Sequence, residues 1–211
     1  MQKYSAIWEV KLDFNVDLLL REFRDAYPQN LKKVYSENEN WKGVTVFKKG
    51  LDLHLNKLPE LKNIVSQLGE ENIVGINYFN LEANSNLHEH RDMNGNLLFG
   101  IVRIHIPLKT NEQAFMFIEK VKYHLSIGTA WALDTSGLHS LSNGPLDNRI
   151  HLVVDIKRSP KTRKYFPNYT MSVVLHLCKF LFIVCFKVLR DLFANPRSLI
   201  KRLKDKAKEY R

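Results

Sequence analysis

The sequence predicts a mainly β domain, a sandwich or barrel, with N-terminal helices packed on one sheet and a helical extension at the C-terminus. Three observations carry this. From Ile73 to Ile156 the chain is cut into short β-branched or aromatic runs: "IVGINYFNLE", "LLFGIVRIHIPL", "AFMFIE", "KYHLSI", "TAWALD", "HSLSN" and "RIHLVVDI". Turn residues punctuate the region, at Asn94-Gly95, Gly128, Gly137 and Asn143-Gly144. On either side the pattern changes, to helical periodicity before it and to a long apolar run without turn residues after it. About seven or eight short strands at this regular spacing fit a sandwich or barrel.

Taken in order, "AIWEVKLDF" reads as a strand. "NVDLLLREFRDAY" reads as a helix capped by Asn15, with Val16, Leu19, Leu20 and Phe23 on one face. A second helix is expected from about Lys57 to Leu68, where Leu58, Leu61, Ile64, Val65 and Leu68 share helical spacing and Gly69 follows. The strands come next, with loops expected at Asn80–Leu87 and Lys109–Gln113. After Asp155, "KRSPKTRKYFPNYT" reads as a basic linker over 157–170, and 171–211 as an apolar and then basic helical tail. With 211 residues and 45% hydrophobic content, the chain accommodates one domain over 1–156, core 73–156, plus this appendage.

The formal charge of +10 is unevenly placed. Residues 157–211 carry 15 Lys and Arg against three acids, whereas residues 1–156 have a net charge of −2. The most apolar part of the tail, "VVLHLCKFLFIVCF", is about 14 residues, short of the roughly 20 that span a bilayer. It is apolar on nearly every side as a helix, and a helix of that kind seeks a membrane interface or a partner. Two readings follow. Residues 161–211 sit on an anionic membrane surface, at about 1 kcal/mol per basic residue, or the run packs on the β domain or forms a homodimer. Nucleic acid is not expected as a partner, since few aromatics interleave the basic residues and no groove-binding motif is present. Cys178 and Cys185 lie seven residues apart, about ten ångströms along a helix, and cannot bridge. This fits a reducing compartment. "MQKYSAIWEVKLDF" has no secretory pattern, so a cytoplasmic protein is expected, peripheral on the cytoplasmic face of a membrane in the first reading.

The chemistry concentrates in "LHEHRDMNG". If it ends a strand, His88, His90 and Asp92 point to one side, because side chains alternate with period two. Glu89 and Arg91 then face solvent. A metal needs a third ligand, and His139 in "DTSGLHSLSNG" leads into a later strand that a rolled sheet can bring opposite. Two histidines and one carboxylate leave open positions on the metal, as in non-haem Fe(II) oxygenases. Arg149 in "NRIHLVVDI" enters an apolar strand, where an unpaired charge is costly, so an anionic partner is expected. Arg103 and His105 alternate with Val102, Ile104 and Ile106 and so face the same cavity. His88 competes with His90 as ligand. His151 is divided between site and barrel wall, Asp155 is expected to pair with a nearby arginine, Trp131 and Tyr78 read as core, and His54, His124 and His176 as structural or exposed.

The run from "LHEHRD" through "RIHIPL", "GTAWALD" and "HSLSNG" to "NRIHLVVD" resembles the aspartyl/asparaginyl β-hydroxylase family of Fe(II)/2-oxoglutarate-dependent dioxygenases. The resemblance covers roughly Ile73 to Ile156 and implies a double-stranded β-helix, the jelly-roll or cupin-like fold. It implies His90, Asp92 and His139 as iron ligands, and Arg149 as partner of the distal carboxylate of 2-oxoglutarate. It also implies that His105 helps hold the co-substrate and Arg103 the substrate, with no catalytic residue beyond the metal site. Some members lack the carboxylate ligand, but this chain keeps Asp92. The implied reaction decarboxylates 2-oxoglutarate to succinate and hydroxylates an unactivated C–H of an amino-acid, peptide or lipid substrate. The alternative is a non-catalytic cupin-like binding module recruited to an anionic membrane by the basic tail.

Overall fold

The chain opens with β1 (Ile7–Val10), α1 (Val16–Ala26), β2 (Lys32–Tyr35), β3 (Asn38–Lys48), β4 (Leu51–Asp52) and α2 (Pro59–Leu68). Eight strands follow: β5 (Ile73–Leu81), β6 (Ser85–His90), β7 (Ile101–Lys109), β8 (Phe115–Ile118), β9 (Val121–Tyr123), β10 (Ala130–Leu133), β11 (His139–Asn143) and β12 (Arg149–Lys157). The last element is α3 (Met171–Ala194). The computed structural model describes residues 4–27, 31–35, 38–48, 51–52, 55–92, 96–168 and 170–194. The expected Asn94-Gly95 turn, His54 and the basic tail from 195 onward lie outside the described residues.

The described strands form two antiparallel sheets. The larger runs β1-β10-β7-β12-β5-β3-β2, with β4 beside β3, and the smaller runs β6-β11-β8-β9. From β5 to β12 the chain passes back and forth between sheets, with β5, β7, β10 and β12 in the large one and β6, β8, β9 and β11 in the small one. This winding is the double-stranded β-helix.

Local chemistry explains the helices. Asn15 accepts from the Leu18 N–H at 3.1 Å and caps α1. Leu58 and Pro59 open α2, and Gly69 ends it at φ +82°, a conformation glycine takes without strain. The buried faces of the two helices, Leu19 and Phe23 with Leu61, Ile64, Val65 and Leu68, meet one side of the large sheet. There Tyr78 of β5 is fully buried, its ring 4.9 Å from that of Phe23. β12 is buried at every position but its last, because helices cover one face and the inter-sheet cavity lies on the other.

Several expectations change. The loop expected over 80–87 is only a turn at 82–84, since β5 runs to Leu81 and β6 starts at Ser85. The run "LLFGIVRIHIPL" divides, with Leu97–Phe99 a 3₁₀ turn and Gly100 at φ +68° before β7 begins. The β2–β3 hairpin was not foreseen. The segment expected as a basic linker is fixed at its start: Arg158 N–H donates to Gly100 O, Trp8 Nε1 to Tyr165 O, and Thr162 is fully buried. Residues 5–168 form one compact unit.

α3 belongs to a second unit. It is longer than the apolar run suggested. Met171–Asp191, 21 residues of mean hydropathy 2.1, is long and apolar enough to cross a membrane, whereas too short a span was expected. Its polar residues Ser172, His176, Lys179, Lys187 and Arg190 fall on one stripe at helical spacing, interrupted by Ile183 and flanked by exposed Leu175, Phe182 and Phe186, and the far side carries exposed Val174, Leu181 and Leu189.

Candidate metal centre

Two neighbouring strands of the small sheet and the turns beyond them build the centre. His90 ends β6 and His139 begins β11, paired directly across the ladder with ring centroids 4.2 Å apart. Asp92 lies two residues past His90, its N–H donating to Thr135 O at 3.0 Å. One donor atom from each of His90, Asp92 and His139 lies within 4.8 Å of the others.

The period-two argument for this site needs correction. Leu141 pairs with Leu87 and His139 with His90, so three residue steps on β6 oppose two on β11. This bulge breaks the alternation. In a regular ladder Glu89 would oppose His139, and His88 and His90 would share the outer face. The bulge turns His90 to the face of Leu87 and leaves His88 exposed, which separates the two candidates.

Both imidazoles are held in one tautomer. His90 Nδ1 meets His88 O at 2.9 Å, and His139 Nδ1 meets Gly137 O at 2.9 Å. A carbonyl only accepts, so each Nδ1 carries the proton and each Nε2 is the unprotonated nitrogen, as a metal ligand requires. Burial also lowers the pKa of His139, against the opposing pull of Asp92, which favours the neutral form. Two nitrogens and one carboxylate oxygen fit Fe(II).

Residues with no motif of their own fix this geometry. Asp134, 1% exposed, accepts from the N–H groups of Leu97 and Ser136 and from the Ser136 hydroxyl, shaping the loop before His139. Asn96 Nδ2 donates to Asp92 O at 2.9 Å. Arg91, expected in solvent, instead donates to Ser136 O at 2.6 Å and Glu119 Oε1 at 2.9 Å, tying the turn after β8 to the same loop.

A cavity of about 200 Å³ extends from these three residues between the sheets. Arg103, His105, Arg149 and His151 all line it. Arg149 is buried, and that burial brings its pKa down to about 9. Among the described residues no carboxylate pairs with it; its Nη2 donates to His151 Nδ1 at 3.2 Å. A guanidinium only donates, so the His151 proton sits on Nε2, which is buried without a partner. His105 adds a second contact to His151 Nδ1 at 3.4 Å. Burial and then the charge of Arg149 push both His105 and His151 well below the usual histidine range. This end of the cavity therefore holds a charged fork and an unsatisfied N–H, with neutral imidazoles around them. It complements an anion.

Arg103, which the resemblance implied as a substrate contact, lines the cavity with two carboxylate partners. It forms a fork with Asp155 and also reaches Asp92. Burial works against its charge, but Asp155 and Asp92 outweigh that and raise its pKa. Trp131, Tyr78 and His124 lie outside the cavity lining, and His124 bonds to Ala114 O at 3.1 Å.

A family model described as aspartyl/asparaginyl beta-hydroxylase matches residues 14–159. No curated protein matches the sequence significantly. Among solved structures, the chain is similar to a prolyl-4-hydroxylase from Pseudomonas putida, at 12% identity and TM-score 0.46, covering 73% of this chain and 93% of that one. It is similar to the non-haem α-ketoglutarate-dependent epimerase SnoN from nogalamycin biosynthesis, at 14% identity and TM-score 0.48, covering 67% and 71%. It is also similar to an oxidoreductase of the 2OG-Fe(II) oxygenase family from Burkholderia pseudomallei, at 13% identity and TM-score 0.45, covering 67% and 75%.

Proposed function

The chain belongs to the aspartyl/asparaginyl β-hydroxylase family, and from that premise we propose that it is an Fe(II)/2-oxoglutarate-dependent dioxygenase hydroxylating an unactivated C–H bond of an amino-acid, peptide or lipid substrate. The observation that carries this is the trio His90, Asp92 and His139, with donor atoms within 4.8 Å and both imidazoles locked to present Nε2. When bound there, Fe(II) with 2-oxoglutarate supplies the oxygen activation and C–H oxidation that side chains cannot perform.

The protein's part is to bind, orient and shield. His90, Asp92 and His139 would hold the ion from one side. Arg149, with no carboxylate partner among the described residues, and the unsatisfied His151 N–H would receive the distal carboxylate of the co-substrate. His105, kept neutral, would line its path without adding charge. Leu87, Phe79 and Val153 line the cavity and keep water from the reacting atoms.

Anaerobic titration with Fe(II) and 2-oxoglutarate tests the reading. A visible metal-to-ligand charge-transfer band is expected in the wild type and absent in His139→Ala. No band in folded wild type would leave the cupin-like binding module.

We propose as well that α3 lies in the plane of an anionic membrane surface. Its polar stripe carries Lys179, Lys187 and Arg190, and its apolar side is exposed over most of its length. A narrow basic stripe beside a broad apolar face suits the boundary between headgroups and acyl chains.

A further inference from the structure

Arg103 on β7 and Asp155 on β12 are register partners across the large sheet. Arg103 Nε donates to Asp155 Oδ1 at 2.7 Å and Nη2 to Asp155 Oδ2 at 3.0 Å, two parallel bonds. The remaining arm turns toward the metal centre, where Nη1 donates to Asp92 Oδ2 at 2.5 Å. One planar group thus joins two carboxylates, and only Asp92 Oδ1 is left facing the histidines, 3.9 Å from His90 Nε2.

The backbone of Asp92 is tied on both sides, by its N–H to Thr135 O and its carbonyl to Asn96 Nδ2. What remains free is rotation of the carboxylate, a broad and roughly two-fold torsion. An aspartate with both oxygens available can close on a metal with two and take a position that the co-substrate or dioxygen needs. We propose that Asp155, acting through Arg103, is a positioning residue that holds Asp92 as a one-oxygen ligand and keeps its second oxygen out of the metal's coordination. This rests on the iron-site reading above. The side chains of Asp155, Arg103 and Asp92 are 12%, 22% and 18% exposed, so water competes weakly for these bonds.

A plain cross-strand ion pair would show the same Arg103–Asp155 contact, and the two roles separate by what they move. The test uses Co(II) as an oxygen-stable probe, with affinity and visible spectrum read without co-substrate, together with the unfolding temperature of the metal-free protein. Asp155→Asn keeps the shape and one acceptor but loses the charged fork. Arg103→Lys cannot span two carboxylates as a planar plate does. Both variants are expected to alter the spectrum of the bound ion, as the second Asp92 oxygen becomes free to enter its coordination, and to shift Co(II) affinity by about 10- to 100-fold. Asp155→Glu is expected to return both readouts part of the way to wild type. Co(II) affinity within threefold of wild type and an unchanged spectrum in both variants, whatever their unfolding temperature, would overturn the clamp. If one variant does not fold, the other decides. Wild type binding Co(II) no better than His139→Ala would instead remove the iron-site reading, and the clamp with it.

Discussion

Arg149 shows how far a single residue can be read. A guanidinium in an apolar strand needs an anion, and the structure places it buried, with a neutral histidine as its hydrogen-bond partner and a lowered pKa. Such a charge destabilises the empty protein. Arg149→Leu is therefore expected to raise the stability of the metal-free chain by about 2 kcal/mol, read as a higher unfolding temperature, while abolishing 2-oxoglutarate binding. A lower unfolding temperature would mean that Arg149 serves packing. Polar residues inside apolar strands singled out Arg103, His105 and Arg149, because burying them without cause is costly, whereas His139 was reached only as the third ligand that His90 and Asp92 call for. Asn96 and Asp134 gave no such signal. They sit among turn residues, where asparagine and aspartate are ordinary.

Elements were legible where one period dominates. α1 begins and ends where its cap and apolar spacing put it, and α2 ends at Leu68 before Gly69 as expected but starts at Pro59 rather than Lys57, which belongs to a preceding 3₁₀ turn. The β2–β3 hairpin was hidden because "NENWKGVTVFKKG" mixes Asn, Glu and Lys with its apolar residues and carries a register shift between Thr45 and Phe47. The bulge in β6 was hidden for a different reason: it is a relation between two strands, and no stretch of β6 alone contains it. α3 carries its own prediction. Phe182 of α3 is 72% exposed, so Phe182→Glu should fold normally. Burying a phenylalanine is worth about 1.5 to 3 kcal/mol, so the variant should lose at least about tenfold in partition onto phosphatidylserine-containing vesicles. Unchanged partition would place the apolar side elsewhere.

Across the whole molecule, the interior histidines link stability to pH. His105 and His151 are neutral in the fold, with pKa values well below 6.5, and titrate near 6.5 once unfolded. Below about pH 6.5 the unfolded chain binds more protons, so stability is full above that pH and falls as acid is added. Each histidine contributes about 1.4 kcal/mol per pH unit between its two values. Thermal unfolding from pH 8 to pH 5 should show this loss, and a His105→Gln, His151→Gln double variant should flatten it. A slope unchanged in the double variant would assign the loss to other groups. Sheet order is the part of the fold that sequence alone leaves open, since the partner of each strand is chosen by packing across the whole domain.

β12 also acts as a ruler. Asp155, Val153, His151 and Arg149 stand on one of its faces, spaced at about 6.6 Å, two residues of strand rise. Helices behind and neighbours on both sides leave that strand little room to shift. The span from the Asp155 carboxylate at one end to the Arg149 guanidinium at the other is therefore set by a residue count. Moving the fork along the strand would change the span by several times the length of one methylene. Fine discrimination between dicarboxylates of neighbouring length must then come from the reach of the side chain at 149, and the strand supplies only the coarse scale.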